Sequence, residues 1–318
     1  MTDQLSPQET NQLVVAAIST TRCPPILDYV VDGETLYSGH VLSAERLIFK
    51  PDARLVFSPS IVRRTADLFI IAREITSEDN ERPGTITWQD TPAAIPPAKG
   101  YGASGTDNGA NEAVAGGSGA IGPAGFDGEA GYHAPHLTLL VQSIPAALKI
   151  ELAGEDGGAG GQGGVGGSGG QGGPGNQASQ SAFGCRRGAG DGAAGGSGGA
   201  GGPGGNGGAG GNGGTLTLIA AEHGLALISR MLLTNTGGGR GGPPGEGGAG
   251  GVGGPGGPGG REDLPWCRGN GSAGPQGSGG PPGGPGGVGP DGHPGHFYVG
   301  GLSAADADKI LGRPSATP

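Results

Sequence analysis

The sequence predicts an all-β protein that also contains polyglycine II helices: a parallel β-solenoid-like base from which Gly-Gly-Xaa hairpins rise and pack as a helix bundle. Of 318 residues, 79 are Gly and 27 are Pro, while only 33% are hydrophobic and 4% aromatic. This is too little apolar bulk for an ordinary globule of this length. The glycine tracts keep a strict period of three, and apolar runs return between them at nearly constant intervals. Leu137 and Leu216 are 79 residues apart, and Phe297 follows 81 residues after Leu216.

The period of three is the reason to expect order in the glycine tracts. Polyproline II geometry has three residues per turn, so a Gly-Gly-Xaa repeat places Gly along two edges of the helix. Neighbouring helices can then approach until their backbone N–H and C=O groups bond laterally, which offsets the entropy lost by ordering glycine. Three hairpins would supply six such arms. A disordered linker and a collagen-like trimer are the competing interpretations.

Residues 1–22 are predicted to contain an N-terminal capping helix. Ser6-Pro7-Gln8-Glu9 has the pattern of a capping box, with Pro at the first helical position. Its expected role is to cover the end of a solenoid, and docking to a carrier protein is the alternative.

Residues 23–96 are predicted to form the β-strand domain. Short apolar runs such as Leu47–Phe49 and Leu55–Phe57 are separated by the turn Lys50–Asp52. They suit successive coils of a parallel β-solenoid, and an antiparallel sandwich is the second interpretation.

Residues 97–296 are predicted to alternate glycine hairpins with strands of the base. The hairpins cover 97–134, 154–214 and 237–296, and the base strands cover 137–152 and 215–233. Within the second group of base strands, the run Leu225–Ile228 is also predicted to be a strand. Residues 297–318 should form a last strand, a short helix over 304–311 and a polar tail.

The tips of the second and third hairpins, 176–194 and 261–270, are the predicted binding surface. Loops on a rigid scaffold concentrate binding residues, and aromatic and Arg side chains often anchor recognition. The alternative is that these side chains only pack together and close the end of the bundle. The candidate ligand-binding residues are Phe183, Arg186, Arg187, Trp266 and Arg268, with Asp191 and Asp263 beside them.

Cys185 and Cys267 occupy equivalent places in the two tips, so they form either a disulfide in an oxidising compartment or two free thiols. Cys23 is expected to be an isolated core or capping thiol. The pairs His133/His136 and His293/His296 lie where returning arms re-enter the base. We interpret them as hydrogen-bonded polar residues rather than metal ligands, because no carboxylate or Cys cluster completes a site.

Composition and motifs argue against several functional classes. The net charge is −10 and no basic face is visible, so we expect no nucleic-acid partner. We also expect no signal peptide and no membrane span, since no apolar run approaches the roughly 18–20 residues required. No Walker A sequence is present, and glycine repeats match nucleophile-elbow patterns by chance. A non-enzymatic protein without a cofactor is therefore expected.

The tracts over 100–296 resemble the glycine-rich domain of the tail-fibre tip adhesins of T-even-like phages. Snow-flea antifreeze protein and the glycine-rich domain of Obg GTPases share the same helix type. The resemblance implies a polyglycine II bundle that presents loops to a cell-surface receptor or glycan, with a location on a virion or cell surface. The alternative function is a structural spacer, coat or filament subunit, whose partners are other copies of the chain.

Overall fold

The computed structural model describes residues 2–6, 8–10, 12–13, 26–63, 66–88, 100–110, 113–262, 265–267 and 269–303. Two parallel sheets form the base, one with seven strands in the order β1-β14-β12-β8-β6-β4-β2 and one with five in the order β13-β9-β7-β5-β3. The strands are β1 Thr2–Gln4, β2 Ile26–Val31, β3 Glu34–Tyr37, β4 Val41–Phe49, β5 Arg54–Phe57, β6 Asp67–Ser77, β7 Gly84–Trp88, β8 His136–Ser143, β9 Leu148–Glu151, β10 Ser179–Ser181, β11 Gly184–Arg187, β12 Leu216–Ala221, β13 Leu232–Asn235 and β14 Phe297–Leu302. Two helices lie wholly within the described residues, α1 Pro59–Val62 and α2 Glu222–Met231.

Successive strands of the base alternate between the two sheets, from β2 and β3 through to β13 and β14. The predicted all-β class with parallel, solenoid-like strands is therefore confirmed, and the antiparallel sandwich was wrong. Among the described residues, the one antiparallel pair is β10 with β11, which lies in a hairpin tip outside the base. Among them, too, no helix is long and apolar enough to cross a membrane.

The hydrophobic core lies between the two sheets because alternate strand residues point inward. In β4 the burial alternates, and Leu47 and Phe49 are fully buried. Leu55 and Phe57 of β5 join the same core cluster from the other sheet. The turn predicted between these strands is present at Pro51–Asp52, where Asp52 adopts a positive φ of 59°.

The regular spacing in the sequence is the register of the larger sheet. Leu216 of β12 lies opposite both Leu137 of β8 and Phe297 of β14. The chain segments between these three residues leave the sheet and return to it one strand further along. Each glycine hairpin is thus inserted between two neighbouring strands of the base sheets.

The run Leu225–Ile228 is part of helix α2, so the predicted strand was wrong at this place. Ile228 is buried in the core, and Leu225 and Met231 pack against it, which is the spacing of one helical face. Leu227 is 61% exposed because it lies on the opposite face. A four-residue apolar run is compatible with a helix or a strand. Here the core contacts of Leu225, Ile228 and Met231, which are three residues apart, are those of a helix.

The N-terminal region begins with a strand that was not predicted. Thr2–Gln4 form β1, which extends the seven-stranded sheet beside β14. The helical turn follows, and its capping box is formed: Ser6 Oγ donates to Glu9 Oε2 at 2.6 Å, and Glu9 N donates to Ser6 Oγ at 3.3 Å. Leu13 packs on the outer face of the larger sheet. The remainder of the predicted capping helix, 14–22, lies outside the described residues. The predicted helix over 304–311 lies outside the described residues.

Six extended arms rise from the base, and we number them in chain order. Arm 1 is 100–108, arm 2 is 113–135, arm 3 is 152–175, arm 4 is 190–214, arm 5 is 236–260 and arm 6 is 271–295. The outgoing arms 1, 3 and 5 form one layer, and the returning arms 2, 4 and 6 form a second. Backbone N–H groups bond to carbonyl groups of neighbouring arms at every third residue, at 2.7–3.0 Å, both within and between layers.

The glycine pattern follows from the number of neighbours around each arm. Arms 3 and 4 each contact four other arms. On arm 3, a Cβ at Gly163 would overlap the carbonyl of Gly202, and one at Gly164 would overlap that of Gly100. Two of three residues must therefore be Gly. Arm 6, at the edge, needs Gly at one residue in three, since a Cβ at Gly284 would meet nothing within 4 Å.

Candidate functional site

The tip of the second hairpin is a small antiparallel β-hairpin placed at the end of arms 3 and 4. Gly190 N donates to the carbonyl of Asn176 at 2.9 Å, and Asn176 Nδ2 donates to the carbonyl of Gly188 at 3.2 Å, so the two arms are closed by Asn176. Beyond them, β10 and β11 are joined by a two-residue turn that includes Phe183. The Phe183 side chain is 97% exposed.

The third tip is fastened to the second by a covalent bond and by hydrogen bonds. Cys185 and Cys267 form a disulfide with a Cα–Cα distance of 4.8 Å. Gln180 Oε1 accepts a hydrogen bond from Trp266 N at 3.3 Å, and Gln177 Oε1 accepts one from Arg261 N at 3.0 Å. No local sequence pattern indicates these two Gln contacts, because they depend on how the tips lie side by side.

The structure brings four of the predicted binding residues together on the joined tips. Phe183, Arg186 and Arg187 are exposed on the hairpin, and Trp266 is 61% exposed beside it. Arg268, Asp263 and Cys23 lie outside the described residues. Arg261, which sequence reasoning did not single out, is also exposed.

The described part of the tips presents positive charge. Among the described residues, no carboxylate forms an ion pair with Arg186, Arg187 or Arg261. The nearby carboxylates instead accept backbone hydrogen bonds: Asp191 Oδ1 accepts from Ser272 N at 2.7 Å, and Glu262 accepts from Gly269 N. Arg side chains beside exposed aromatic rings can bind anionic or planar groups.

The histidines at the roots of the arms act as hydrogen-bond acceptors or stacking partners. His133 Nδ1 accepts from Asn212 N at 2.7 Å, and His136 Nδ1 accepts from Thr215 N at 3.1 Å. The ring of His296 stacks on Tyr298, with centroids 5.6 Å apart. Within the described ranges, no cluster of three or more His, Cys, Asp or Glu side chains could hold a metal ion.

His133 belongs to a set of side chains that accept hydrogen bonds from backbone N–H groups at Xaa positions, which do not bond to a backbone carbonyl of another arm. In each case the side chain belongs to the neighbouring arm of the same layer. Asp127 Oδ1 accepts from Asn206 N at 2.7 Å, and Asn206 Oδ1 in turn accepts from Gly287 N at 2.8 Å. Asn212 Oδ1 similarly accepts from His293 N at 2.9 Å.

A cleft of about 410 Å³ between base and arms was not predicted. Trp88, Tyr132 and His133 line it, and the Arg63 guanidinium lies 4.6 Å from the centroid of the Tyr132 ring. Trp88 Nε1 donates to the carbonyl of Ala153 at 3.0 Å, so the indole is held by arm 3. These residues are far apart in the sequence, and no motif connects them.

Comparison with known proteins gives little further information. No family model and no curated protein matches the chain. One solved structure, a nine-helix polyproline type II bundle, the springtail antifreeze protein from Granisotoma rainieri, is 28% identical over 56% of this chain and 94% of that chain. The TM-score is 0.11, so the two structures do not superpose as one fold.

Proposed function

We propose that the chain is a non-enzymatic, adhesin-type binding protein whose joined tips recognise an acidic cell-surface glycan or protein. The base is a β-solenoid, and the six arms are polyglycine II helices that hold the tips away from it. The observation that carries the proposal is the exposure of Phe183 and Trp266 beside Arg186 and Arg187 on disulfide-linked tips. The resemblance of 100–296 to phage tail-fibre tip adhesins supports the same function.

The arms have the bonding expected of a stiff support. A polyglycine II helix repeats every three residues, and the lateral hydrogen bonds recur at that interval. At about 3.1 Å per residue, arms of some 20 residues hold the tips on the order of 60 Å from the base. A large aromatic side chain there gains nothing from the core of the base, so its exposure favours a contact with another molecule.

The charge of the tips favours an acidic partner. The whole chain has a net charge of −10, yet the described tips present three Arg side chains without carboxylate partners among the described residues. Guanidinium groups bind carboxylate and sulfate oxygens in a bidentate manner, and aromatic rings supply apolar contact area. A sialylated or sulfated glycan, or an acidic protein surface, offers both features.

The test is binding to an array of sialylated, sulfated and neutral glycans and to immobilised acidic proteins. The double variants Phe183→Ala/Trp266→Ala and Arg186→Ala/Arg187→Ala should each lose at least tenfold in affinity, since anchor residues of interfaces typically cost more than 1–2 kcal/mol on truncation. Arg240→Ala is the matched control, because Arg240 is exposed near the root of arm 5, far from the tips. Unchanged binding in both tip variants would contradict the proposal. Loss of self-association in them would instead favour the structural spacer, coat or filament subunit.

A further inference from the structure

On each of arms 1 to 4, one row of N–H groups donates to the next arm of the same layer. On arm 4 this row runs from Gly192 to Gly213 in steps of three, and it donates to arm 6. Every residue of the row is Gly, and in each case it precedes the residue that donates across to the other layer. We call this row the extension row, because its N–H groups carry the layer on to one more arm.

Arm 6 has no arm beyond it, and its extension row has a different composition. Its cross-layer donors run from Gly271 to Gly295 in steps of three, so the extension row is formed by the residue before each donor. The row consists of Ala273, Gln276, Gly279, Pro282, Pro285, Val288, Asp291 and Pro294. One residue of eight is Gly, whereas the matching row of arm 4 is entirely Gly.

A further arm would need N–H donors in this row and free space beside it, and this composition removes both. Pro282, Pro285 and Pro294 have no N–H to donate. Side chains in this row also occupy the space of a further arm in the other layer: on arm 4, a Cβ at Gly201 would overlap the carbonyl of Gly248 on arm 5, the next arm of that layer. The edge of arm 6 is therefore closed sterically and lacks three donors.

Arm 5, the last arm of the other layer, differs from arm 6. Its extension row has Pro only at Pro244 and Gly at the other seven positions, whereas the row of arm 3 is Gly throughout. The N–H of Gly241 in the same row bonds instead to Asp291 Oδ1 of arm 6, at 2.7 Å. By contrast, Pro255 and Pro258 of arm 5 lie at Xaa positions, where only their carbonyls accept from arm 3.

We propose that the extension row of arm 6 terminates the bundle: its prolines and other side chains prevent a glycine arm of a second copy from docking on this edge. Natural β-sheets protect exposed edge strands with Pro and inward-turned charges for the same reason, since an open row of N–H and C=O groups is a template for association. The edge of a polyglycine layer presents the same hazard at every third residue.

The test compares two triple variants of arm 6 by sedimentation velocity over a range of protein concentrations. Pro282→Gly/Pro285→Gly/Pro294→Gly restores three donors in the extension row. Pro275→Gly/Pro281→Gly/Pro290→Gly is the matched control, because it makes the same change on the same arm at Xaa positions. We expect the first variant to reach at least twice the mass of the wild-type protein as concentration rises, and the control to keep the wild-type mass.

The proposal is overturned if the first variant keeps the wild-type mass or if the two variants associate equally. Amide hydrogen exchange of the wild-type protein tests the proposal even if a variant does not fold. The amides of Gln276, Gly279 and Val288 should exchange rapidly at every concentration, because no arm of a second copy covers them. Concentration-dependent protection at these amides would contradict the proposal independently of the variants.

Discussion

The amide of Gly202, near the middle of arm 4, donates to the carbonyl of Gly164 on arm 3 at 2.8 Å. The carbonyl of Gly202 accepts in turn from Gly248 on arm 5, also at 2.8 Å. On its remaining side, a Cβ would overlap the carbonyl of Pro123 on arm 2. One residue without a side chain therefore lies in contact with three neighbouring arms.

Gly202→Ala should destabilise the bundle strongly. The new methyl group overlaps a backbone carbonyl that cannot move without breaking its own hydrogen bonds, and forcing an added group into close-packed structure costs about 1–3 kcal/mol. Chemical denaturation followed by circular dichroism measures the loss.

Gly284→Ala is the matched control for this substitution. A Cβ at Gly284 meets nothing within 4 Å, so Ala there should be neutral or stabilising by up to about 1 kcal/mol through reduced freedom of the unfolded chain. Equal effects of the two substitutions would mean that the arms are not packed as described.

Removal of the Cys185–Cys267 disulfide should destabilise the tips but not the arms. Serine at both positions removes a cross-link between residues 82 apart, which typically costs about 2–4 kcal/mol. Amide exchange should accelerate over 177–187 but not over 157–175, since arm 3 keeps its bonds to the neighbouring arms. Cys23→Ser controls for the loss of sulfur. Faster exchange along the whole of arm 3 would show that the disulfide supports the bundle as well as the tips.

His133 should be replaceable by an acceptor but not by an apolar residue. Asp127, two turns earlier on arm 2, makes the same contact with a backbone N–H of arm 4 through its side-chain oxygen. His133→Asn should therefore be close to neutral, while His133→Ala leaves Asn212 N without this acceptor and should cost about 1 kcal/mol. Thermal unfolding of both variants checks the difference. An equal loss in both would assign the role of His133 to the packing of its ring.

The ion pair between Asp28 and Arg46 gives a prediction for acid stability. Hydrogen bonds from the Arg46 guanidinium at 2.6 and 2.8 Å lower the pKa of Asp28 from its ordinary value of 3.8. A lowered pKa in the folded state adds stability above the ordinary value, and this is lost as pH falls through the lowered one. The difference in unfolding free energy between wild type and Asp28→Asn should thus shrink below about pH 4. A difference that stays constant down to pH 2 would contradict the assignment.

Much of the architecture follows from the sequence, because the strands recur at nearly constant intervals and the glycines of the tracts keep a period of three. The distances between Leu137, Leu216 and Phe297 gave the sheet register, since each hairpin must bring the chain back to the next strand position. The six arms followed from three glycine-rich tracts, each of which runs away from the base and returns to it. The sides on which an arm meets a neighbouring backbone carbonyl explain which of its residues must be Gly: on arm 3, for example, Gly163 faces arm 4 and Gly164 faces arm 1.

Helix α2, strand β1 and the contacts between the tips were not predicted, for physical reasons. The run at Leu225 is too short to separate helix from strand by composition, and its helix is decided by packing against the core. Strand β1 is three residues long and gains its stability from pairing with β14. At the tips, Gln177 and Gln180 act through contacts between hairpins more than 80 residues apart, which no local pattern reports.

Amide hydrogen exchange along arms 3 and 4, measured residue by residue by NMR, tests the central claim most directly. If the arms are laterally bonded helices, Gly160, Gly163 and Gly166 and their neighbours Gly161, Gly164 and Gly167 should all be protected, because each donates to another arm. The amide of Gln162, which lies between them, should exchange faster. Rapid exchange at every residue of 157–214 would contradict the bundle.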